Sequence, residues 1–256
     1  MATGFWRLAL AMIPLLLFSA VRKTDDPRPP HGISDYAQLM LPGFFLAADL
    51  AAWHLSIHVT TVANATLLAN LAPVFVALIG WLFLHAAITR AFAIGLAIAI
   101  AGIVILKGGV GNLLNGDVLG DALAVTAALF YAGYILTVGR LRGRFDTLRV
   151  MLWSTASAAI LILPAVFYMQ ESLLPQTLFG WAMVIGLALV SHVGGQAAIT
   201  YALAYLPPAF SSLTLLLQPV VAAILGLAVL GEAIGIQQAI GGAIVLAGIM
   251  YARYKS

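Results

Sequence analysis

"LLQPVVAAILG", residues 216–226, sets a glutamine and a proline inside a stretch that is otherwise apolar, and "NLAPVFVALIG", residues 70–80, repeats the arrangement. Proline removes a backbone donor and crowds the carbonyl four residues back, so a plain apolar helix does better without it. Its return at a second, equally apolar segment makes it a device of the fold.

The surroundings decide what kind of fold. Of 256 residues, 63% are hydrophobic and 8% charged, against about 25% charged in soluble domains. Uncharged runs of roughly 20 residues, each long enough to cross about 30 Å of hydrocarbon as a helix, recur along the whole chain. The period-two alternation of barrel strands is absent, so the expected fold is an all-α membrane protein, a helical bundle. Nine transmembrane spans are expected, A to I: 3–21, 35–57, 61–84, 88–108, 118–140, 147–169, 178–203, 208–230 and 233–252. The first 20 residues lack the basic start and cleavage box of a signal peptide and are read as a span. Pro207 and Pro208 suit the first turn of span H, where a missing N–H costs nothing.

The net charge of +3 does not point to nucleic acid, because the basic residues sit beside the apolar runs. With a cytoplasmic C-terminus, Arg22, Lys23, Arg28, Arg90, Arg140, Arg142, Arg144, Arg149, Arg253 and Lys255 fall on the inner side, leaving only Arg7 and Lys107 outside. A multi-pass protein of the cell (inner) membrane is the expectation. The absence of cysteine rules out disulfides and thiolate metal sites.

Sliding the chain on itself by 146 residues pairs Pro73 with Pro219, Gly80 with Gly226, Gly95 with Gly241, Gly102 with Gly248 and Lys107 with Arg253. Over residues 61–107, 18 of 47 pairs are identical. Spans A to D thereby match F to I, and an offset of five spans inverts each copy, the inverted-topology repeat of secondary transporters. The expected organisation is a first repeat over 1–110 and a second over 111–256, with the partner of span E falling before residue 1.

The segments "ANLAPVFVALIG" with "GLAIAIAGIVIL", and "YALAYLPPAFSSLTLLLQPVVAAILGLAVLGEAIGIQQAIGGAIVLAGI", resemble the two halves of an EamA-type transporter of the drug/metabolite transporter superfamily. "GFWRLALAMIPLLL" is similar to the second span of that family, whose members usually have ten. One departure stands out. The family commonly shows Gly-Glu after both proline-bearing spans; this chain keeps Gly231-Glu232 but has His85-Ala86 in the first half. The resemblance implies export of small metabolites, often amino acids or their relatives, through a central cavity lined by both halves.

Polar groups in hydrocarbon cost about 2.5–3.5 kcal/mol for a central Asp by insertion scales, so each is a functional candidate. Asp49 lies near the middle of span B with no adjacent basic residue, and is read as a substrate or proton group, or as a hydrogen-bonded lock between helices. Trp53 follows it at i+4 on the same face, with packing as the alternative. His54 and His58 are also four apart, but a third metal ligand at matching spacing is missing and no metal is expected. His192, Gln196 and Thr200 form a stripe at intervals of four in span G, with Tyr201 beside it. Under the repeat offset Thr200 falls on His54 and Gly195 on Asp49, so the two stripes occupy corresponding depths. Asn64, Asn70 and Gln218 suit a polar ligand or helix-to-helix hydrogen bonds. Tyr131 and Tyr134 face a cavity or fill space. Pro73 and Pro219 are expected to bend spans C and H, leaving carbonyls free. Glu232 is expected to cap the turn into span I, and the glycines of spans D and I to allow close helix approach.

The expected function is a secondary transporter of a small-molecule substrate working by alternating access, without cofactor, coupled to protons through Asp49 or driven by the substrate gradient alone. An intramembrane enzyme would need a nucleophile and base at matched depth, and no G-x-S-x-G elbow is present. A non-transporting scaffold would have no use for two inverted halves. The Walker motif of an ATP-driven pump is absent as well.

Overall fold

The computed structural model describes residues 1–22, 29–106, 117–169, 171–225, 227–228, 231 and 235–254. Lys23, Arg28, Lys107, Glu232 and Lys255 therefore lie outside the described residues, and with Glu232 its expected capping role. Among the described residues there is no strand. The helices are α1 (Ala2–Val21), α2 (Ile33–Val59), α3 (Val62–Ala69), α4 (Ala72–Leu84), α5 (Arg90–Leu106), α6 (Val118–Arg142), α7 (Thr147–Tyr168), α8 (Leu178–Gly186), a π-helical segment Leu187–Gln196, α9 (Ala197–Ala202), α10 (Pro208–Thr214), α11 (Gln218–Leu225) and α12 (Ile236–Tyr254).

The short connectors start these helices by supplying side-chain acceptors for orphan N–H groups. Thr61 accepts from the Asn64 N–H at 3.1 Å, Asp146 from Arg149 at 2.7 Å and Thr177 from Gly180 at 3.0 Å. Among the described residues seven helical stretches are long and apolar enough to cross a membrane, with α3 and α4, α8 through α9, and α10 through α11 each counting as one. Nine spans were expected from the sequence. The two regions outside the seven are helical: α5 has 17 residues, and α12, with 19, carries Gln237, Gln238 and Arg253.

Both proline-bearing spans are interrupted immediately before the proline. In the first, α3 ends at Ala69, the turn Asn70–Leu71 follows, and Pro73 stands in the first turn of α4. In the second, α10 gives way to a 3₁₀ turn over Leu215–Leu217, and Pro219 is the second residue of α11. Of the carbonyls expected to be left free by the two prolines, that of Leu215 is not. Pro219 cannot donate to the Leu215 carbonyl, but the tighter 3₁₀ turn lets the Gln218 N–H do so instead. The interruption re-satisfies the backbone locally.

The helix after Pro73 ends at His85, which has φ 53°, and the equivalent position in the second half is Gly231, with φ 69°. This explains the glycine of the Gly-Glu pair: the turn needs a left-handed residue, and glycine adopts it without strain. His85 meets the same requirement at a cost, and its turn is closed by Ala86 N–H donating to Gly80 O at 2.9 Å. His85→Gly is expected to stabilise the protein by about 1 kcal/mol, read as a higher melting temperature in detergent.

The chain forms two compact units, Met1–His54 with Gly133–Pro207 and Leu55–Ala132 with Pro208–Ser256. Each unit takes spans from both sides of residue 110. In the second unit α5 lies along α12 with glycine against backbone: a Cβ on Gly248 would stand 2.6 Å from Ala99 N and from Gly95 O, and one on Gly102 2.6 Å from Val245 N. Ala99, Ile103, Val245, Ile249 and Leu213 are buried around this seam. In the first unit α1 packs on α7 and on the π-helical segment, and a Cβ on Gly43 would meet Ser157 Cβ at 2.6 Å and Ala158 N at 2.8 Å, so α2 and α7 touch there.

Candidate functional site

The first unit gathers Asp49, Trp53, His54, Tyr134, His192, Gln196, Thr200 and Tyr201. Asp49, Trp53 and His54 follow one another along α2. Leu50 O offers only an acceptor, so the 2.7 Å contact to His54 Nδ1 puts a proton on that nitrogen and fixes the ring. Trp53 stands edge-on to the same imidazole at 5.3 Å. A Cβ on Gly4 would lie 3.5 Å from His54 Cε1, which places this face of α2 against the start of α1.

His192 belongs to the π-helical segment and is 2% exposed, with its Nε2 hydrogen-bonded to Thr155 Oγ1 of α7 at 2.9 Å. A π-helix places each carbonyl opposite the fifth residue on, and Gly194 and Gly195 lie over the Leu189 and Val190 carbonyls in this way. Such segments are rare and concentrate at functional sites. Further along, Thr200 is fully buried; its hydroxyl donates to Met151 Sδ at 3.3 Å and its carbonyl accepts from Arg142 Nε at 3.1 Å. Tyr134 is also fully buried, its hydroxyl within reach of the Thr200 and Gln196 side chains. Tyr201 is 56% exposed and packs at 5.0 Å on Tyr205.

Three groups that the sequence reading passed over belong to this unit. Arg7, set aside there as an outer flanking charge, stands about one turn along α1 from Gly4, whose Cβ position faces the His54 ring. The signal available in the sequence was that Arg7 broke the charge bias while standing inside an apolar run. Thr155 had no such signal, since hydroxyls are common in spans. Glu171 lies just beyond α7, and its Oε2 accepts from the Ala2 N–H at 2.7 Å. Burial pushes the Glu171 carboxyl up, but the hydrogen bonds from Ala2 and the Met1 ammonium outweigh it and hold the group below its usual range.

Near Glu171 a cavity of about 410 Å³ opens among Ala2, Trp6, Glu171, Leu173, Gln176 and Met183, framed by the Trp6 Nε1 bond to Leu173 O and the edge contact of Trp6 with Trp181. None of the sequence candidates lines it.

The second unit holds Asn64, Asn70, Tyr131, Gln218, Pro73 and Pro219. Asn64 is buried in the first turn of α3. Asn70 lies in the turn before Pro73 and lines a cavity of about 120 Å³ with Leu67, Leu71, Ile100 and Ile103. Gln218 opens α11 and is exposed in the structure. Ser56 of α2 and Thr60 just beyond its end tie to α6 in the same unit, through Gly120 O at 2.7 Å and Asp121 Oδ1 at 2.8 Å.

Helices of membrane length with titratable groups along them define a multi-pass membrane protein. The chain belongs to the EamA-like transporter family, whose profile it matches over residues 1–107 and 118–254. It is 24% identical over 202 residues to the pseudopaline exporter CntI of Pseudomonas aeruginosa, covering 78% of this chain and 67% of that one. It is 29% identical over 195 residues to a probable terminal-alkyne amino-acid exporter of Streptantibioticus cattleyicolor, covering 76% and 64%. With the uncharacterized transporter YxxF of Bacillus subtilis the identity is 26% over 218 residues, covering 84% and 69%. The matches thus span about two thirds of each relative's length. The fold superposes on a crystal structure with a TM-score of 0.80 at 16% identity, covering 100% of this chain and 89% of that one.

Proposed function

We propose that this protein is a secondary transporter that exports small polar metabolites, amino acids or close relatives, from the cell by alternating access. The observation that carries this reading is the set of ionisable side chains inside membrane-length helices of one unit: Asp49 on α2, His192 on the π-helical segment and Arg7 on α1. Charges placed there cost several kcal/mol unless a ligand, an ion or a partner uses them. Two of the relatives are named as exporters, one of pseudopaline and one, as probable, of a terminal-alkyne amino acid. The same reading puts the C-terminus in the cytoplasm, treats 1–110 and 111–256 as inverted repeats whose exchange of conformation moves the substrate, and assigns Asn64, Asn70, Tyr131 and Gln218 to polar contacts along its path.

Asp49 is the proton-handling residue in this scheme. Asp49→Asn keeps the size and the hydrogen-bonding capacity of the side chain but removes the exchangeable proton. Whatever the absolute flux that this variant retains, substrate-loaded proteoliposomes are expected to show the same flux, within about 2-fold, with and without a pH gradient. Unchanged dependence on the pH gradient would show that Asp49 carries no proton.

A further inference from the structure

Arg7 is the one Lys, Arg, Asp or Glu residue in α1, and it does not sit at the end of the helix. Its level in the first unit follows from contacts already described. The Gly4 face of α1 looks onto the His54 ring, with 3.5 Å from the Gly4 Cβ position to Cε1. Arg7 follows Gly4 by three residues and shares that face, about 4.5 Å further along the axis. Along α2 in the other direction, Asp49 precedes His54 by five residues, about 7.5 Å. The two helices thus carry a guanidinium and a carboxylate into the same layer. α1 also packs on the π-helical segment, which brings His192 to this layer with its Nε2 engaged by Thr155.

A pair of opposite charges held in hydrocarbon for stability alone is poor economy, since apolar residues of similar volume do as well or better. The arrangement makes sense when each charge has a counterpart that comes and goes. A guanidinium is the side chain suited to a planar carboxylate, which it binds through two parallel N–H donors. Asp49 offers the matching acceptor for an ammonium group. His54 is held by Leu50 O and His192 by Thr155, so neither imidazole is free to rotate into the place of a ligand.

We infer that Arg7 receives the carboxylate and Asp49 the ammonium of a zwitterionic α-amino acid, which makes these two residues the determinants of substrate charge. The inference rests on the transport function proposed above and narrows it to one ligand chemistry with a defined polarity in the site.

The test is counterflow in proteoliposomes with radiolabelled leucine, alanine, methionine and phenylalanine, using for the best of them its decarboxylated amine and its deaminated acid as competitors; for leucine these are isopentylamine and 4-methylpentanoate. In the wild type each analogue is expected to compete at least about 10-fold more weakly than the amino acid, because it leaves one charge of the site unmatched. Arg7→Gln is expected to lower amino-acid flux by at least about 10-fold and to make the amine as good a competitor as the amino acid, and Asp49→Asn to do the same for the acid. Arg7→Lys is expected to keep the ranking with weaker binding, since the charge remains but the planar fork is lost. Equal competition by amine and amino acid in the wild type would overturn the inference, even where the variants do not fold. So would an unaltered ranking in Arg7→Gln. Counterflow of a compound with no carboxylate, such as a nucleoside or a cationic drug, in place of the amino acids would overturn it while leaving transport standing. No flux of any of these compounds would overturn both.

Discussion

Gly248→Val is expected to lower the melting temperature of the purified protein by about 10 °C, the largest single loss in the second unit. The side chain that valine brings has no space to enter: its Cβ alone would stand 2.6 Å from the Ala99 nitrogen and from the Gly95 oxygen, both backbone atoms that cannot swing aside. The helices must separate, and with them the buried cluster of Ala99, Ile103, Val245 and Ile249. Overpacking of this kind costs about 3 kcal/mol at the upper end of the usual range, and about 2–4 °C accompanies each kcal/mol in a chain of this size. Gly186→Ala is the matched control, since a Cβ there meets nothing within 4 Å; it is expected to leave the melting temperature unchanged or raised by about 2 °C, the helix propensity of alanine acting alone. A Gly248 variant melting within about 2 °C of the wild type would refute the close approach of α5 and α12.

Tyr134→Ala is expected to be at least as damaging in the first unit, by about 3–5 kcal/mol, because the ring is fully buried and its removal leaves a cavity. Tyr134→Phe separates the ring from the hydroxyl. It is expected to cost only about 1 kcal/mol, the usual net worth of one hydroxyl's hydrogen bonding, because the ring and its packing remain. Transport by the phenylalanine variant then decides between the two roles that the sequence left open. Wild-type flux marks the residue as packing; a loss beyond the loss of folded protein marks the hydroxyl as part of the path.

The sequence reading anticipated the helical class because length and hydropathy alone dictate it: a polar backbone in hydrocarbon has to bond to itself. It also located the interruptions, since proline acts through its own ring and missing N–H, which are visible in one dimension. It missed how the backbone recovers, because a 3₁₀ turn before Pro219 depends on the angles of three residues, not on their identity. The π-helical segment was invisible for the same reason; the stripe His192, Gln196 and Thr200 was read at intervals of four as though the helix were uniform. Arg7 illustrates a different limit. Charge counting treats a basic residue as a marker of sidedness, and only the placement of α1 against His54 and the π-helical segment shows which groups share its surroundings.

Each compact unit draws its helices from early and late parts of the chain, and this has a consequence for biogenesis. α5 is complete at Leu106, whereas α12 begins at Ile236. At the usual pace of about 5–20 residues per second, α5 waits in the bilayer for roughly 6–26 s before its partner is translated. A helix that waited with an exposed ionisable group on its contact face would invite premature partners or retention by quality control. The face that α5 keeps for α12 bears Gly95, Ala99 and Gly102, which acyl chains solvate without penalty and which match no other helix by charge. The glycine seam thus serves the nascent chain as well as the finished one: it lets a span idle in lipid, chemically silent, until the ribosome delivers the surface that fits it.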